Sequence, residues 1–230
     1  TPDWFAELSH VERSFGDLEG GKSIGKQENT AYDSRGSQFR LSRKINEDSR
    51  FILGFQNVFM DDVPRTHKTI NGLTWKGLIP GSEIWRQLDQ KRNLYYGKFS
   101  WENTGGWIDA GLLTLSLHKH QQERYRMKGS TSGVPIGGDI QYFGLEDLGL
   151  SLRIETDDPW GGRLAYGGTW HHESLNSGGY KFNSSEIKST DLAQGPLAAD
   201  AHYDRYAFYL SDTYDVGHWN IEPGIRFSSI

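Results

Sequence analysis

The sequence predicts an all-β protein: an antiparallel up-and-down transmembrane β-barrel, of which these 230 residues supply a part of about nine strands. Three observations predict it. The composition is polar, glycine-rich and aromatic-rich: 35% hydrophobic, with 28 Gly, 8 Trp, 11 Tyr and 11 Phe, and a mean hydropathy of −0.67. Period-two alternation of apolar and polar residues recurs along the chain, whereas helical periodicity is hard to find. Short and long connections alternate, with short periplasmic turns and long extracellular loops, as they do in membrane barrels.

The strands follow in order. A weak one occupies 3–14. In 37–45, Phe39, Leu41 and Ile45 point one way and Gln38, Arg40, Ser42 and Lys44 the other. Residues 49–60 carry Phe51, Leu53, Phe55 and Phe59 on one face. Residues 93–102 place Tyr95, Phe99 and Trp101 opposite Lys98 and Ser100; 106–118 set Leu113, Leu115 and Leu117 against Thr114, Ser116 and His118. Residues 149–157 set Leu150, Leu152 and Ile154 against Ser151, Arg153 and Glu155; 162–172 set Leu164, Tyr166 and Trp170 against Arg163, Thr169 and His171. Residues 202–214 carry Tyr206, Phe208 and Leu210 against Arg205, Tyr209 and Ser211; 216–227 carry Trp219, Ile221, Ile225 and Phe227 against Asn220, Glu222 and Arg226.

Between them the short connections are 46–48, 103–105, 158–161 and the stretch around Asp215, all rich in turn residues. The long ones are 15–36, 61–92, 119–148 and 174–201. Loops above about 15 residues are uncommon in compact soluble domains. Strands of about 9–11 tilted residues are what a bilayer requires. The charged face (Arg40, Lys44, Lys98, Arg153, Glu155, Arg163, Arg205, Glu222, Arg226) suits a watery lumen, and Trp101, Trp107, Tyr166, Trp170, Tyr214 and Trp219 suit interfacial girdles. The alternative is a soluble, aromatic-rich β-sandwich of the carbohydrate-binding kind, polar face in water and aromatics in a core, or an enzyme on that sandwich with paired carboxylates in a cleft.

Other classes fall away. No run approaches the ~18 apolar residues of a membrane helix, and Thr-Pro-Asp-Trp at the start carries neither the basic nor the apolar region of a signal peptide. A formal charge of −5 argues against nucleic-acid binding. Without Cys there is no disulfide scaffold and no thiolate metal site. Nine strands is an odd number where complete bacterial barrels are usually even, and the last residue is not aromatic. The expectation is one domain over 1–230 that forms part of a larger barrel.

Four stretches carry a family resemblance. Asn29-Thr30-Ala31-Tyr32-Asp33-Ser34-Arg35-Gly36-Ser37-Gln38-Phe39-Arg40 resembles an early barrel loop entering a strand. The segment Phe55 to His67 is similar to the one leaving the next strand, and Gly81 to Tyr96, with Asp89-Gln90-Lys91-Arg92, to the lead-in of the strand that follows. Ile221-Glu222-Pro223-Gly224-Ile225-Arg226-Phe227 resembles a recurrent Pro-Gly-(Leu/Ile)-Arg strand. Together they resemble the barrel domain of a TonB-dependent outer-membrane receptor. That resemblance implies a bacterial outer-membrane location and energised import of a scarce nutrient: a metal–siderophore complex, a vitamin or a glycan. It also implies a plug domain and a TonB-type energy-coupling partner, engaged through parts not in this chain. Pro223-Gly224 reads as a bulge near the periplasmic rim.

Candidate chemistry is sparse. His118 and His120 share a strand face and could converge on a metal, but Lys119 lies between them; His171 and His172 point to opposite faces. All four read as polar rim histidines. Asp61-Asp62 and Asp157-Asp158 read as turn or loop carboxylates rather than a metal or acid–base pair. Gly16 to Ser23 formally fits G-x-x-x-x-G-K-S, but Asp17 and Glu19 stand where phosphates would lie and no helix follows. No resident cofactor or metal and no catalytic residue is expected. Long-loop aromatics and cations are the plausible ligand contacts: Arg65, His67, Trp75, Trp85 and Arg86 in 61–92.

Overall fold

The computed structural model describes residues 3–21, 24–74, 80–103 and 107–230, with His67 described by its backbone alone. In chain order the elements are β1 (Trp4–Phe15), β2 (Leu18–Gly20), β3 (Gly25–Gln27), β4 (Tyr32–Asn46), β5 (Ser49–Pro64), a 3-10 turn (Thr66–Lys68), β6 (Glu83–Glu102) and β7 (Ala110–Gly129). They continue with β8 (Pro135–Asp157), β9 (Arg163–Phe182), β10 (Lys188–Asp191), β11 (Ala201–Val216), β12 (Trp219–Ile221) and β13 (Gly224–Ser229). Eleven strands form one antiparallel sheet, β1-β4-β5-β6-β7-β8-β9-β11-β12, with β10 beside β9 and β13 beside β11. Taking β12 and β13 as one interrupted strand and leaving aside short β10, the sheet has nine positions in up-and-down order, as expected. A sandwich needs two packed sheets, and the long strands make one.

Residues in register share a face, so the ladder sorts the side chains. One row runs Ala6, Leu41, Leu53, Gly97, Leu115, Leu150, Trp170, Tyr206. The next runs Arg43, Phe51, Phe99, Leu113, Leu152, Gly168, Phe208, Phe227. Such rows cover about seven residues of each strand, roughly 24 Å along it. On the opposite face Arg153 and Arg163 both bond Glu155 (2.8 and 3.0 Å), Arg205 pairs with Glu173 (2.6 Å) and His171 with Asp147 (3.0 Å). Apolar side chains on the first face stay exposed, such as Leu115 at 53% and Phe208 at 61%, so this face is built to meet hydrocarbon rather than a protein core.

Glycines let aromatic rings lie across neighbouring strands. The Tyr96 ring covers Gly54, Trp101 covers Gly111 and Phe182 covers Gly138, each so closely that a Cβ on the glycine would clash. The short-turn end carries the exposed indoles of Trp107, Trp160 and Trp219 at 93%, 82% and 75%, an interfacial girdle.

Three expectations change. β1 has the expected 12 residues, but β4 to β9 and β11 run to 15–23, beyond the 9–13 expected. The predicted loop 119–148 is mostly strand: β7 and β8 continue to a turn at 130–134. Beyond the apolar band both faces meet water, so the alternation that marks a strand disappears while the ladder persists. For the same reason the other long connections shrink to 16–31, 65–82 and 183–200, the first holding hairpin β2–β3 and the last β10. Pro223 makes no bulge either. Pairing keeps the same register on both sides of it, from Tyr214–Ile221 to Ser211–Gly224, with the Asp212 N–H donating to the Pro223 carbonyl (3.0 Å). The missing N–H interrupts the ladder without shifting it.

At the short-turn end, Asp158 is buried and its Oδ1 accepts from the N–H groups of Trp160 and Gly162 (2.8 and 2.7 Å). The Tyr214 hydroxyl lies 2.6 Å from both Asp158 Oδ2 and Asp212 Oδ2, joining the β8–β9 turn to β11. Burial pulls the Asp158 pKa up, but the bonds from Tyr214 and the Gly162 backbone outweigh it and hold it at about 2, against an ordinary 3.8. A depressed carboxyl stabilises the fold above its unfolded pKa and loses that contribution as pH falls through the folded one. Protection of the Gly162 amide, measured against its intrinsic exchange rate at each pH, is therefore expected to fall between about pH 4 and pH 2, and in Tyr214→Phe to be low already at neutral pH. Across the band, Leu150→Arg is expected to cost about 2–4 kcal/mol in unfolding from liposomes, and neighbouring Ser151→Arg, on the other face, under about 1 kcal/mol.

Candidate functional site at the long-loop end

The tips of β6, β7, β8 and β9 extend past the apolar band and carry a charged cluster on the lumen face. Asp139, 4% exposed, accepts from Arg124 Nη2 (2.8 Å) and from Arg126 Nε (2.8 Å) and Nη2. Arg126 Nη1 also reaches Glu83 Oε1 (3.4 Å), and Glu83, 8% exposed, accepts from Arg86 Nη2 (2.8 Å). The register explains the assembly: Arg86, Arg126, Asp139 and Lys181 stand in one row across four strands, and Lys128 stands opposite Glu83. Burial pushes the Asp139 carboxyl up, yet hydrogen bonds from Arg126 and Arg124 more than offset this and keep it below the usual carboxylate range. Arg124 Nε is buried without a hydrogen-bond partner among the described residues.

Loops brace this wall. Thr69, 3% exposed, forms a parallel bridge to Glu83, the Ile70 N–H donates to the Glu83 carbonyl (2.8 Å) and the Gly129 N–H to the Ser82 carbonyl (2.8 Å). The Leu192 N–H donates to the Gly179 carbonyl (2.9 Å) and the Leu197 N–H to Ser177 Oγ (3.3 Å). At the other side of the sheet, Asp17 closes hairpin β2–β3 by accepting from the N–H groups of Thr30 and Ala31 (2.9 and 3.1 Å); the Thr30 bond leads in lowering its pKa. The stretch that formally fits a phosphate loop is thus an antiparallel hairpin, with Lys22 and Ser23 outside the described residues.

Of the five ligand contacts expected from the sequence, two come together. The Arg65 N–H donates to the Arg86 carbonyl (2.7 Å), which extends the β5–β6 register and sets Arg65 beside Arg86. His67 lies in the 3-10 turn, and Trp75 lies outside the described residues. Trp85 and Arg86 are strand residues rather than loop residues, and Trp85 faces away from the lumen, in register with Met127. Missed from the sequence were Glu83, Arg124, Arg126, Asp139, Lys128 and Lys181. The signal in the sequence is Glu123-Arg124-Tyr125-Arg126, with arginines two apart, whose lack of apolar alternation reads as loop.

The other candidates resolve structurally. His118 accepts from Arg92 Nε (2.8 Å), His120 meets the Phe143 ring edge-on, His171 bonds Asp147 and His172 bonds Asp204 on the other face (3.0 Å each). Asp61 pairs with Arg35 (3.0 Å), and the Asp62 N–H donates to Asp89 Oδ1 (2.8 Å) at a bulge. No group of three or more metal-ligating side chains occurs among the described residues. Asp139→Asn is expected to cost about 3 kcal/mol in unfolding, because it strands Arg124 and Arg126. The wild-type cluster is expected to keep its contribution above about pH 4 and lose it as pH falls further.

No curated protein matches the chain. Residues 21–230 match the family described as TonB dependent receptor-like, beta-barrel. Its members are receptors and transporters of the bacterial outer membrane, which fits a sheet with one lipid-facing side, short turns at one end and charged, loop-braced tips at the other. By this match over most of its length, and by its all-β up-and-down sheet, the chain belongs to the TonB-dependent receptor-like β-barrel family.

Proposed function

We propose that residues 1–230 are part of one outer-membrane barrel domain that binds a scarce anionic nutrient at its extracellular mouth and imports it. An anionic metal chelate of the siderophore kind suits the mouth better than a neutral vitamin or glycan. Energy would come from the inner membrane through a TonB-type coupling protein, engaged by parts outside these residues. The observation that carries this reading is the charge of the wall. Arg65, Arg86, Arg124, Arg126, Lys128 and Lys181 outnumber Glu83 and Asp139 on it. Low-dielectric walls of one sign concentrate oppositely charged ligands, and arginine forks bind carboxylate, catecholate or phosphate oxygens in pairs.

In this reading Arg65 and Arg86 are direct contacts and His67 and Trp75 further ones, whereas Trp85 faces away from the lumen and Arg124 Nε is buried. Because Lys128 and Lys181 are exposed and hold no ion pair among the described residues, Lys128→Gln and Lys181→Gln leave the Arg–Asp cluster intact. Each is expected to weaken binding of an anionic tris-catecholate iron chelate about tenfold and to leave a neutral chelate unaffected. Equal binding of both chelates by wild type and variants in equilibrium titration would refute the proposal.

A further inference from the structure

Arg86 can meet a ligand only if its guanidinium fork is free, and the fork is filled. Its side chain is 11% exposed and turned onto Glu83, with Nη2 donating to Oε1 (2.8 Å) and Nε 2.8 Å from Oε2. Residues three apart on a regular strand face opposite sides. Here the extra residue of the bulge between Glu83 and Trp85 returns Glu83 to the lumen face, opposite Lys128 and on the same side as Arg86 and Arg126. The bulge thus supplies the cationic wall with a carboxylate of its own. The two carboxylates of this wall are held differently. Asp139 accepts from Arg124 Nη2 and Arg126 Nε (2.8 Å each) and from Arg126 Nη2. Glu83 has one well-aligned bond, from Arg86 Nη2; the Nε–Oε2 contact lies off the line of a hydrogen bond, and Arg126 Nη1 is 3.4 Å away. Asp139 is the fixed counter-ion of the cluster, and Glu83 the loosely held one.

We infer that Glu83 is a built-in competitor for the ligand: its carboxylate occupies the anion position on Arg86 and Arg126, and an anionic ligand group takes that position by displacing it. The inference rests on the anionic-ligand reading proposed above and names the residue that sets the affinity of that site. The displaced side chain has a second partner within reach. Lys128 stands directly opposite Glu83 in the ladder, is exposed and holds no ion pair among the described residues. Opposite residues have Cβ atoms about 4.5–5.5 Å apart, so a change of Glu83 rotamer exchanges Arg86 for Lys128 without moving the strand. The backbone is pinned there, because the Ile70 N–H donates to the Glu83 carbonyl (2.8 Å) and Thr69 bridges to the same residue. Replacing one anion by another leaves the Arg86 guanidinium paired before and after, which avoids a lone buried charge. A neutral ligand cannot make that exchange and meets a closed fork. A competitor that holds the fork about nine-tenths of the time lowers the apparent affinity about tenfold.

The test titrates the intact receptor, in detergent, with the anionic tris-catecholate iron chelate. Glu83→Gln keeps an oxygen to accept from Arg86 but removes the competing charge, and is expected to bind the chelate about tenfold more tightly than wild type. Glu123→Gln removes the same charge from the face of β7 turned away from the lumen and is expected to change affinity by about twofold or less. A second measurement keeps the wild-type protein. A carbodiimide joins a carboxylate to a lysine amine that it touches, and the Glu83–Lys128 amide, counted by peptide mass spectrometry, is expected to rise several-fold when the chelate is bound. Weaker binding by Glu83→Gln would show that Glu83 only orders the arginines, and equal gains in Glu83→Gln and Glu123→Gln would show a long-range charge effect. Either result overturns the inference, as does an amide yield that the chelate leaves unchanged. If wild type binds anionic and neutral chelates alike, the anionic-ligand reading itself fails; if it discriminates but Glu83→Gln gains nothing, only the competitor fails.

Discussion

An unbroken antiparallel register is the constraint on which the rest of this structure depends. In hydrocarbon a backbone N–H without a partner costs several kcal/mol, so a ladder that crosses a bilayer cannot slip. The irregularities obey this. The register shifts at Lys44/Asn46, Met60/Val63, Glu83/Trp85 and Lys128/Gly129 all lie at strand ends, outside the apolar rows. Within those rows one parity holds from β1 to β13. Face assignment follows directly, because a one-residue slip in any pairing would exchange Leu115 for Ser116 and every neighbour with it. Pro223 tests the rule at its weakest point: it removes a donor, yet the strand resumes in register beyond it.

That parity also gives the glycines their meaning. Where a glycine stands in register with a ring, as Gly54 with Tyr96 or Gly111 with Trp101, the ring folds over it and the pair behaves as one large residue shared between strands. This accommodates a high content of both glycine and aromatic residues in one polar chain without a conventional core. Gly144 has nothing within contact distance of an added Cβ, whereas at Gly168, in a row of large apolar side chains, an added Cβ would come within 3.1 Å of the Phe208 ring. Gly168 therefore seats a ring as Gly54 and Gly111 do, and Gly144 is the open position among these four.

The fold was legible in the sequence where one face met hydrocarbon and the other water, since only that contrast writes period two into the residues. Phe51 to Phe59 and Leu113 to Leu117 declared themselves for this reason. His118 to Lys128 did not: there both faces are solvated, and a strand of polar residues reads like a loop even though its ladder is complete. The cost fell on the candidate site. Arg86 was visible as a cation near an aromatic, but Arg124, Arg126 and Asp139 become a cluster only through pairings between strands whose continuation the pattern conceals. Trp85 illustrates the converse, since adjacency to Arg86 in sequence puts it on the opposite face.

The lumen-side charges sort by height, and this bears on where binding energy can arise. At band level some are paired across strands, Arg153 and Arg163 sharing Glu155, Arg205 with Glu173 and His171 with Asp147, while Arg40, Arg50, Lys98 and Arg226 on the same face hold no ion pair among the described residues. Matched pairs across neighbouring strands cancel at a distance and leave little net field for a ligand. At the tips the excess is larger, with four arginines and two lysines beside two carboxylates, and the loops at Thr69 and Leu197 brace that wall. An anion approaching from outside meets the tip cations first and the unpaired cations of the band below them. For the anionic ligand proposed above, a lumen face that stays cationic below the mouth offers successive exposed contacts, each weak in a watery lumen, so that movement inward exchanges one for the next rather than breaking a single strong set.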